Sequence, residues 1–223
     1  MTGVAVSFRH VDLVWSPGTP WSHHAIVDLS FDVAAESRVA VVGANGAGKS
    51  TVVQLVAGLV RATNGEVQVD NALVRRGGGG LVGLAVQHPR TQLLRATPSA
   101  EVRTVTGWSR SDPRIIDALD TVGLDGPAFL RRTVDSMSGG EQRRLQLALQ
   151  LVKPAPLLVL DEPFAGIDAD GRPQLAAVIA HVLNQTRSTL LMVSHDLHES
   201  GSLVERVITL DAGSLIDDQQ VVS

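Results

Sequence analysis

The fold of this chain follows from nine residues, Gly43-Ala44-Asn45-Gly46-Ala47-Gly48-Lys49-Ser50-Thr51. They match G-x-x-x-x-G-K-S, the pattern of a phosphate-binding loop, or P-loop. Its three glycines let the backbone adopt positive φ and approach a phosphate closely, with successive N–H groups pointing into one concavity at a helix N-terminus. Lys49 would add a point charge between the outer phosphates, and the Ser50 hydroxyl could complete a Mg²⁺ shell.

The sequence on either side of this loop fits a buried strand and a buried helix. Residues 38–42 form a short apolar run, and apolar side chains follow the loop at helical spacing, at Val52, Val53, Leu55, Val56 and Leu59. The alternative, a chance glycine-rich turn, does not explain these flanks. The chain is therefore expected to bind a nucleoside triphosphate, although the loop alone does not say what its hydrolysis would drive.

The composition predicts a folded globule of one domain. The chain has 223 residues, 44% of them hydrophobic, a net charge of −4 and no cysteine. No basic block supports generic nucleic-acid binding, and no disulfide framework or thiolate chemistry is available. No run reaches the ~18 apolar residues of a membrane span, and residues 1–14 lack the apolar core of a signal peptide.

Apolar runs and turn signals predict the order of the secondary structure. Strands are predicted at residues 4–14, 29–33, 66–69, 81–86, 157–160, 190–193 and 207–210, and helices at residues 113–122, 141–152 and 174–184. Residues 16–24 are predicted as a loop, the four glycines 77–80 as a plain flexible linker, and the polar residues 217–223 as a frayed tail.

Strand-helix-strand alternation predicts an α/β fold with a parallel sheet covered by helices. We expect a single domain over residues 1–223. Its nucleotide-binding core comprises residues 1–88 and 154–223 and carries a small antiparallel β piece. Residues 89–153 are expected to form a helical subdomain.

A second candidate site element is the pair Asp161-Glu162, which ends the apolar run 157–160. Ligands in open α/β sheets bind beyond the carboxyl ends of the strands, so these carboxylates should lie beside the P-loop. Asp161 can hold Mg²⁺, and Glu162 can orient and deprotonate the attacking water, which is typically worth ~10²–10⁴-fold in rate. The alternative is a solvated acidic turn.

Ser138-Gly139-Gly140-Glu141-Gln142 forms the third element. Ser138 and Glu141 have the spacing of a capping box, which by itself predicts only a well-capped helix. The two glycines, however, would expose backbone N–H groups at a helix N-terminus and so make a second anion site. One triphosphate does not need two such sites, so this one is expected to complete the nucleotide pocket of a second subunit.

Two single residues also follow predicted strands. Gln87 comes directly after the predicted strand 81–86, where its amide could reach a metal or the attacking water. His195 comes shortly after the predicted strand 190–193. Either residue alone would more often be structural. Their shared position at strand ends favours a role in the site.

These motifs, in this order and over essentially the whole chain, resemble those of the ATP-binding subunits of ABC transporters. The resemblance also includes Ala165-Gly166-Ile167-Asp168 and Ser194-His195-Asp196. It implies the P-loop NTPase (RecA-like) fold with a helical subdomain, ATP and Mg²⁺ as ligands, and a head-to-tail dimer. Each ATP would lie between the P-loop of one subunit and Ser138-Gly139-Gly140-Glu141 of the other.

The resemblance also implies a role for each matching residue. Glu162 would be the catalytic base, His195 the switch histidine near the γ-phosphate, and Asp168 a further contact to the partner's ATP. Gln87, Ser50 and Asp161 would bind the Mg²⁺ ion. Trp15 matches the aromatic residue that stacks on adenine, usually Tyr in the family, and Trp21 is a competing candidate.

A narrower resemblance involves Gln87-His88-Pro89-Arg90-Thr91-Gln92. It is similar to the Q-x-P-x-x-Q segment of energy-coupling factor (ECF) ATPases, which drive vitamin and transition-metal uptake. Three positions depart from that pattern: Leu94 replaces an aromatic residue, Met137 a leucine, and Ala169-Asp170 an Asp-Pro step.

The ECF resemblance implies integral membrane coupling and substrate-binding subunits as partners, a second ATPase subunit (identical or paralogous), and a peripheral location on the cytoplasmic face of the cell membrane. The alternatives are an ATPase of another ABC importer or exporter, a soluble ABC ATPase in cluster assembly or cell division, and an inactive nucleotide-binding regulator.

Overall fold

The computed structural model describes residues 2–74, 76–110, 112–195 and 203–221, in which ten strands and seven helices are present. The strands are β1 (Val6–Trp15), β2 (His23–Val33), β3 (Arg38–Val42), β4 (Asn64–Val69), β5 (Ala72–Leu73), β6 (Val82–Ala85), β7 (Leu157–Asp161), β8 (Thr189–Ser194), β9 (Arg206–Asp211) and β10 (Ser214–Gln220). The helices are α1 (Lys49–Val56), α2 (Pro89–Gln92), α3 (Pro98–Thr106), α4 (Pro113–Thr121), α5 (Gly126–Phe129), α6 (Gly139–Val152) and α7 (Gly171–Thr186).

A mostly parallel sheet forms the centre of the molecule, in the order β10-β9-β3-β8-β7-β6. The strands β9 to β6 are parallel, and only β10 runs antiparallel at the edge. Such sheets are covered on both faces, which explains why β3, β7 and β8 are apolar along most of their length. The predicted α/β fold is confirmed.

The alternation of side chains along these strands divides the core in two. In β3, Val39 and Val41 face a core shared with α1 and the antiparallel sheet, whereas Ala40 and Val42 face a core shared with α4, α6 and α7. The antiparallel sheet has the strand order β2-β1-β4-β5. Within it, the rings of Phe8 in β1 and Phe31 in β2 stack with their centroids 4.5 Å apart. The P-loop, which connects β3 to α1, is therefore supported by the cores on both faces of the central sheet.

The interval between β6 and β7 is helical. Helices α2 to α6 occupy it, and no described residue from 86 to 156 lies in a strand. Helices α4 and α6 bury Ile115, Leu119, Leu145 and Leu147 against the central sheet and α7. Within the described ranges, none of the helices combines the length and hydropathy needed to cross a bilayer.

Three predictions about local structure are wrong. Residues 77–80 are not a plain linker but belong to a 3₁₀ helix, Arg76–Gly80. Residues 217–220 are not frayed, because β10 pairs with β9 and Arg206 binds both carboxylate oxygens of Asp218. The predicted loop 16–24 ends early, because β2 begins at His23 opposite Trp15. Residues 217–220 and 23–24 are polar, and their sequence predicts loops. Backbone pairing with a neighbouring strand nevertheless makes them strands, as is common at sheet edges.

Candidate nucleotide-binding and hydrolysis site

The P-loop depends on its glycines for backbone conformation and for space. Gly43, Gly46 and Gly48 all have positive φ. A Cβ on Gly43 would lie 2.3 Å from the carbonyl oxygen of Leu210, and a Cβ on Gly48 would lie 2.7 Å from that of Ala25. No side chain fits at either position, so the loop packs directly against β9 and β2.

Lys49 is held above the loop by the loop itself. Its Nζ donates to the carbonyl oxygens of Gly43, at 2.8 Å, and Ala44, at 3.1 Å. The side chain is only 7% exposed, so a positive charge lies in a poorly hydrated position at the N-terminus of α1. Exposed backbone N–H groups, the helix dipole and this ammonium together favour an anion.

A cleft of about 280 Å³ extends from the loop towards β1 and β2. Its walls include Trp15, His23 and Ala25 on one side, residues of the P-loop in the middle, and Gln87 and Glu162 on the other. Trp15 is 40% exposed and borders the cleft, whereas Trp21 is 83% exposed and is absent from the described lining. The geometry therefore favours Trp15 as the residue that would stack on a base.

Glu162 and His195 meet where β7 and β8 end. The carboxylate of Glu162 accepts from His195 Nδ1 at 2.9 Å and from the His195 backbone N–H at 3.4 Å. Glu162 has a positive φ of 48°, an uncommon conformation for a residue with a side chain, and its N–H donates to Val193. This turn aims a nearly buried carboxylate into the cleft instead of leaving it in solvent.

Asp161 has the environment of a cation ligand. Its Oδ1 is buried and has no hydrogen-bond partner among the described residues. Burial and the neighbouring charge of Glu162 raise the pKa of Asp161, while the nearby Arg143 and Lys49 act to lower it. An unpaired buried carboxylate oxygen calls for a compensating charge.

These residues fit Mg²⁺. Asp161 and the hydroxyl of Ser50, which lines the same cleft as Gln87, are the hard oxygen donors that this ion prefers. The described residues contain no group of three or more acidic, His or Cys side chains able to hold a metal by themselves.

The second candidate anion site lies elsewhere on the chain. Ser138 caps α6 through the predicted capping box: its Oγ accepts from the Glu141 N–H at 3.2 Å, and its own N–H donates to Glu141 Oε2 at 2.6 Å. A separate cavity of about 370 Å³ is lined by Ser138–Glu141, Arg144 and Gly166–Asp168. It shares no described lining residue with the P-loop cleft. Asp168 thus joins the Ser138 group and not the P-loop.

Two residues of interest were not predicted from the sequence. His23, the pairing partner of Trp15 across β1 and β2, borders the cleft on the same side. It was missed because residues 16–24 were predicted as a loop, whereas β2 begins at His23. Arg143 is buried on α6 beneath the site. Its spacing of four from Leu147 could have placed it on the apolar face of the helix. Asp196, part of the Ser194-His195-Asp196 motif, lies outside the described residues.

The fold and this cleft define a P-loop ATPase, a class in which the loop cradles the phosphates and strand ends supply the catalytic groups. Residues 26–165 match the family described as "ABC transporter". The chain belongs to this family and has the ATPase domain that characterises it.

Individual relatives support this assignment. An uncharacterized ABC transporter ATP-binding protein of Mycobacterium tuberculosis is 37% identical over 90% of this chain, which spans only 29% of that protein's length. The energy-coupling factor transporter ATP-binding protein EcfA2 of Symbiobacterium thermophilum is 32% identical, covering 93% of this chain and 75% of its own length. An ATP-binding cassette solved as a dimer in a post-hydrolysis state with ADP and Pi shares the fold, at 20% identity, with a TM-score of 0.81 over 98% of this chain and 99% of that one.

Replacing Asp161 should raise the stability of the nucleotide-free protein. Because the pKa of Asp161 is raised in the folded state, its ionised form destabilises the fold at neutral pH, and this cost disappears as the pH falls and the carboxyl is protonated. In EDTA at pH 7, Asp161→Asn should therefore melt at a higher temperature than the wild type, and the gain should shrink towards pH ~4.

The exposed Asp117→Asn on α4 is the matched control and should leave the melting temperature unchanged. Differential scanning calorimetry across this pH range would measure both variants. A lower melting temperature for Asp161→Asn at pH 7 would contradict the proposed electrostatic cost.

Proposed function

We propose that this chain is the ATPase subunit of an ECF-type importer of a vitamin or transition metal, and that it works as a head-to-tail dimer. The observation that supports a dimer is that one chain has two separate cavities at helix N-termini, each a candidate anion site. The P-loop cleft and the Ser138 cavity have no described residue in common, and each offers backbone N–H groups at a helix N-terminus.

Rotation of a second copy about a two-fold axis would bring each P-loop to the partner's Ser138 cavity, as symmetric dimers require. ATP would then contact both subunits and favour the closed dimer only while the triphosphate is intact. The dimeric cassette with ADP and Pi that shares this fold is compatible with such an arrangement.

Within each site, the residues of this chain would divide the work. The P-loop and Lys49 bind and orient the phosphates, and Trp15 stacks on the base. Glu162, oriented by His195 Nδ1, takes the proton from the attacking water, while Gln87 holds that water in line. Asp161, Ser50 and Gln87 would hold Mg²⁺, which when bound neutralises charge on the phosphates.

The transport assignment rests on Gln87-His88-Pro89-Arg90-Thr91-Gln92 and on relatives named as ECF transporter ATP-binding proteins. In ECF importers the ATPase works with an integral membrane coupling subunit and a substrate-binding subunit at the cytoplasmic face of the membrane. Leu94, close to this segment and 76% exposed, offers an apolar surface for such a contact.

Co-purification tests the importer assignment. When the tagged chain is expressed at its native level and membranes are solubilised in mild detergent, we expect recovery with two integral membrane proteins, one constant and one varying with the substrate. Recovery with a membrane exporter, or only with soluble proteins, would contradict the ECF proposal and favour the other ABC functions.

Glu162→Gln should separate ATP binding from hydrolysis. The amide keeps the shape of the side chain but cannot accept the proton, so turnover should fall by ~10²–10⁴-fold while ATP binding and ATP-dependent dimerisation persist. Phosphate release and size-exclusion chromatography with ATP measure the two effects. Near-normal turnover would exclude Glu162 as the base.

Substitutions of Ser138 should show whether the N-terminus of α6 contacts the partner's phosphates. Ser138→Ala removes the helix cap and should cost about 1 kcal/mol of unfolding free energy. Ser138→Asp retains a capping carboxylate, so stability should stay near wild type. Its negative charge would face the partner's triphosphate, and ATP-dependent dimerisation in the Glu162→Gln background should be lost.

Urea unfolding and light scattering compare these two substitutions directly. A purely structural Ser138 predicts that Ser138→Asp dimerises as well as the unsubstituted protein, which would oppose the proposed composite site.

A further inference from the structure

A buried polar network connects α6 to both sides of the P-loop cleft. At its centre is Arg143, which is only 2% exposed. Its guanidinium donates to the backbone carbonyls of Val86, of Gln87 at 2.8 Å and of Glu162 at 3.4 Å. No carboxylate is among its hydrogen-bond partners in the described part of the chain, so this arginine is satisfied mainly by the main chain.

The network extends to a second layer of side chains. Gln146, one turn further along α6, accepts from Arg143 Nη1 at 3.0 Å and donates to Gln92 Oε1 at 2.6 Å. Gln92 in turn donates to the carbonyl of Leu84 in β6. The segment that carries Gln87 is thereby fixed to α6 at two points, through Arg143 and through Gln92.

An arginine suits this position for geometric reasons. Its planar fork carries five N–H donors, so one side chain can hold several carbonyls at fixed relative positions, which the single ammonium of lysine cannot do. Burial lowers the pKa of Arg143 to about 10, against the opposing effect of Asp161, so the group stays charged at neutral pH. Charge-assisted hydrogen bonds of this kind are stronger than neutral ones.

We infer that Arg143 is a positioning residue for ATP hydrolysis, which holds Gln87 and Glu162 in register with the α6 N-terminus. This inference rests on the proposed roles of Glu162 and Gln87. Helix α6 begins beside Ser138 at the second anion site and reaches the backbone of both catalytic segments through Arg143. Docking of α6 onto the partner's nucleotide is thus coupled mechanically to the catalytic geometry of its own cleft.

The inference predicts a loss of turnover without a loss of ATP binding. Because misplacement of a catalytic group by ~1 Å can cost on the order of 10²-fold, we expect Arg143→Met to lower kcat by about that factor. The dissociation constant for a fluorescent ATP analogue should stay unchanged, because the P-loop makes no contact with Arg143 in the described hydrogen bonds. Arg143→Lys, which retains the charge and some donors, should turn over faster than Arg143→Met.

The control is Arg114→Met, which removes another arginine, paired with Asp112 and stacked on Trp108, from the surface of α4. It should retain wild-type kcat. All variants are compared as the full chain at temperatures well below their measured melting points, so that partial unfolding does not mimic a catalytic defect.

The outcomes separate this inference from the proposed catalytic base. Wild-type kcat in Arg143→Met, or a fall in kcat matched by an equal fall in ATP-binding capacity, would overturn the positioning role. The same holds if Arg143→Lys is no faster than Arg143→Met. Normal turnover in Glu162→Gln would instead overturn the base assignment, whatever Arg143 does.

Discussion

The structure depends on one electrostatic constraint. The groups that bind the negative charge of a triphosphate have to lie together at the carboxyl ends of parallel strands. Because β3, β6, β7 and β8 all run in the same direction, the P-loop, Gln87, Asp161 and His195 reach the same edge of the sheet. The two cores on either side of the sheet, and the glycines packed against Leu210 and Ala25, hold this edge in place.

The same constraint places like charges close together, and they repel one another when no ligand is bound. Asp161 and Glu162 are adjacent and mostly buried, and burial, followed by the repulsion from Glu162, raises the pKa of Asp161. Lys49 and Arg143 provide positive charge nearby, but neither forms a direct hydrogen bond to Asp161 Oδ1. The chain thus retains an electrostatic cost that a bound cation can relieve, a common consequence of building a site for function instead of stability.

Helix α6 connects the two cavities of the molecule. Its N-terminus lines the proposed second anion site, its buried face packs within the helical layer, and Arg143 donates to the backbone of Glu162, the proposed catalytic base. In the proposed dimer, a rigid helix with both kinds of contact could transmit a displacement from one nucleotide site to the other, because packed elements move as units rather than deforming continuously.

The sequence alone determined the elements whose chemistry is local. The P-loop glycines, the capping box of Ser138 and Glu141, and the apolar strands β7 and β8 follow from residue types a few positions apart. Only the tertiary structure decided that Trp15, not Trp21, borders the cleft, that Asp218 belongs to a paired strand, and that Arg143 is buried beneath Glu162. Those facts depend on contacts between residues far apart in the chain, and such contacts leave no periodic signal in a single sequence.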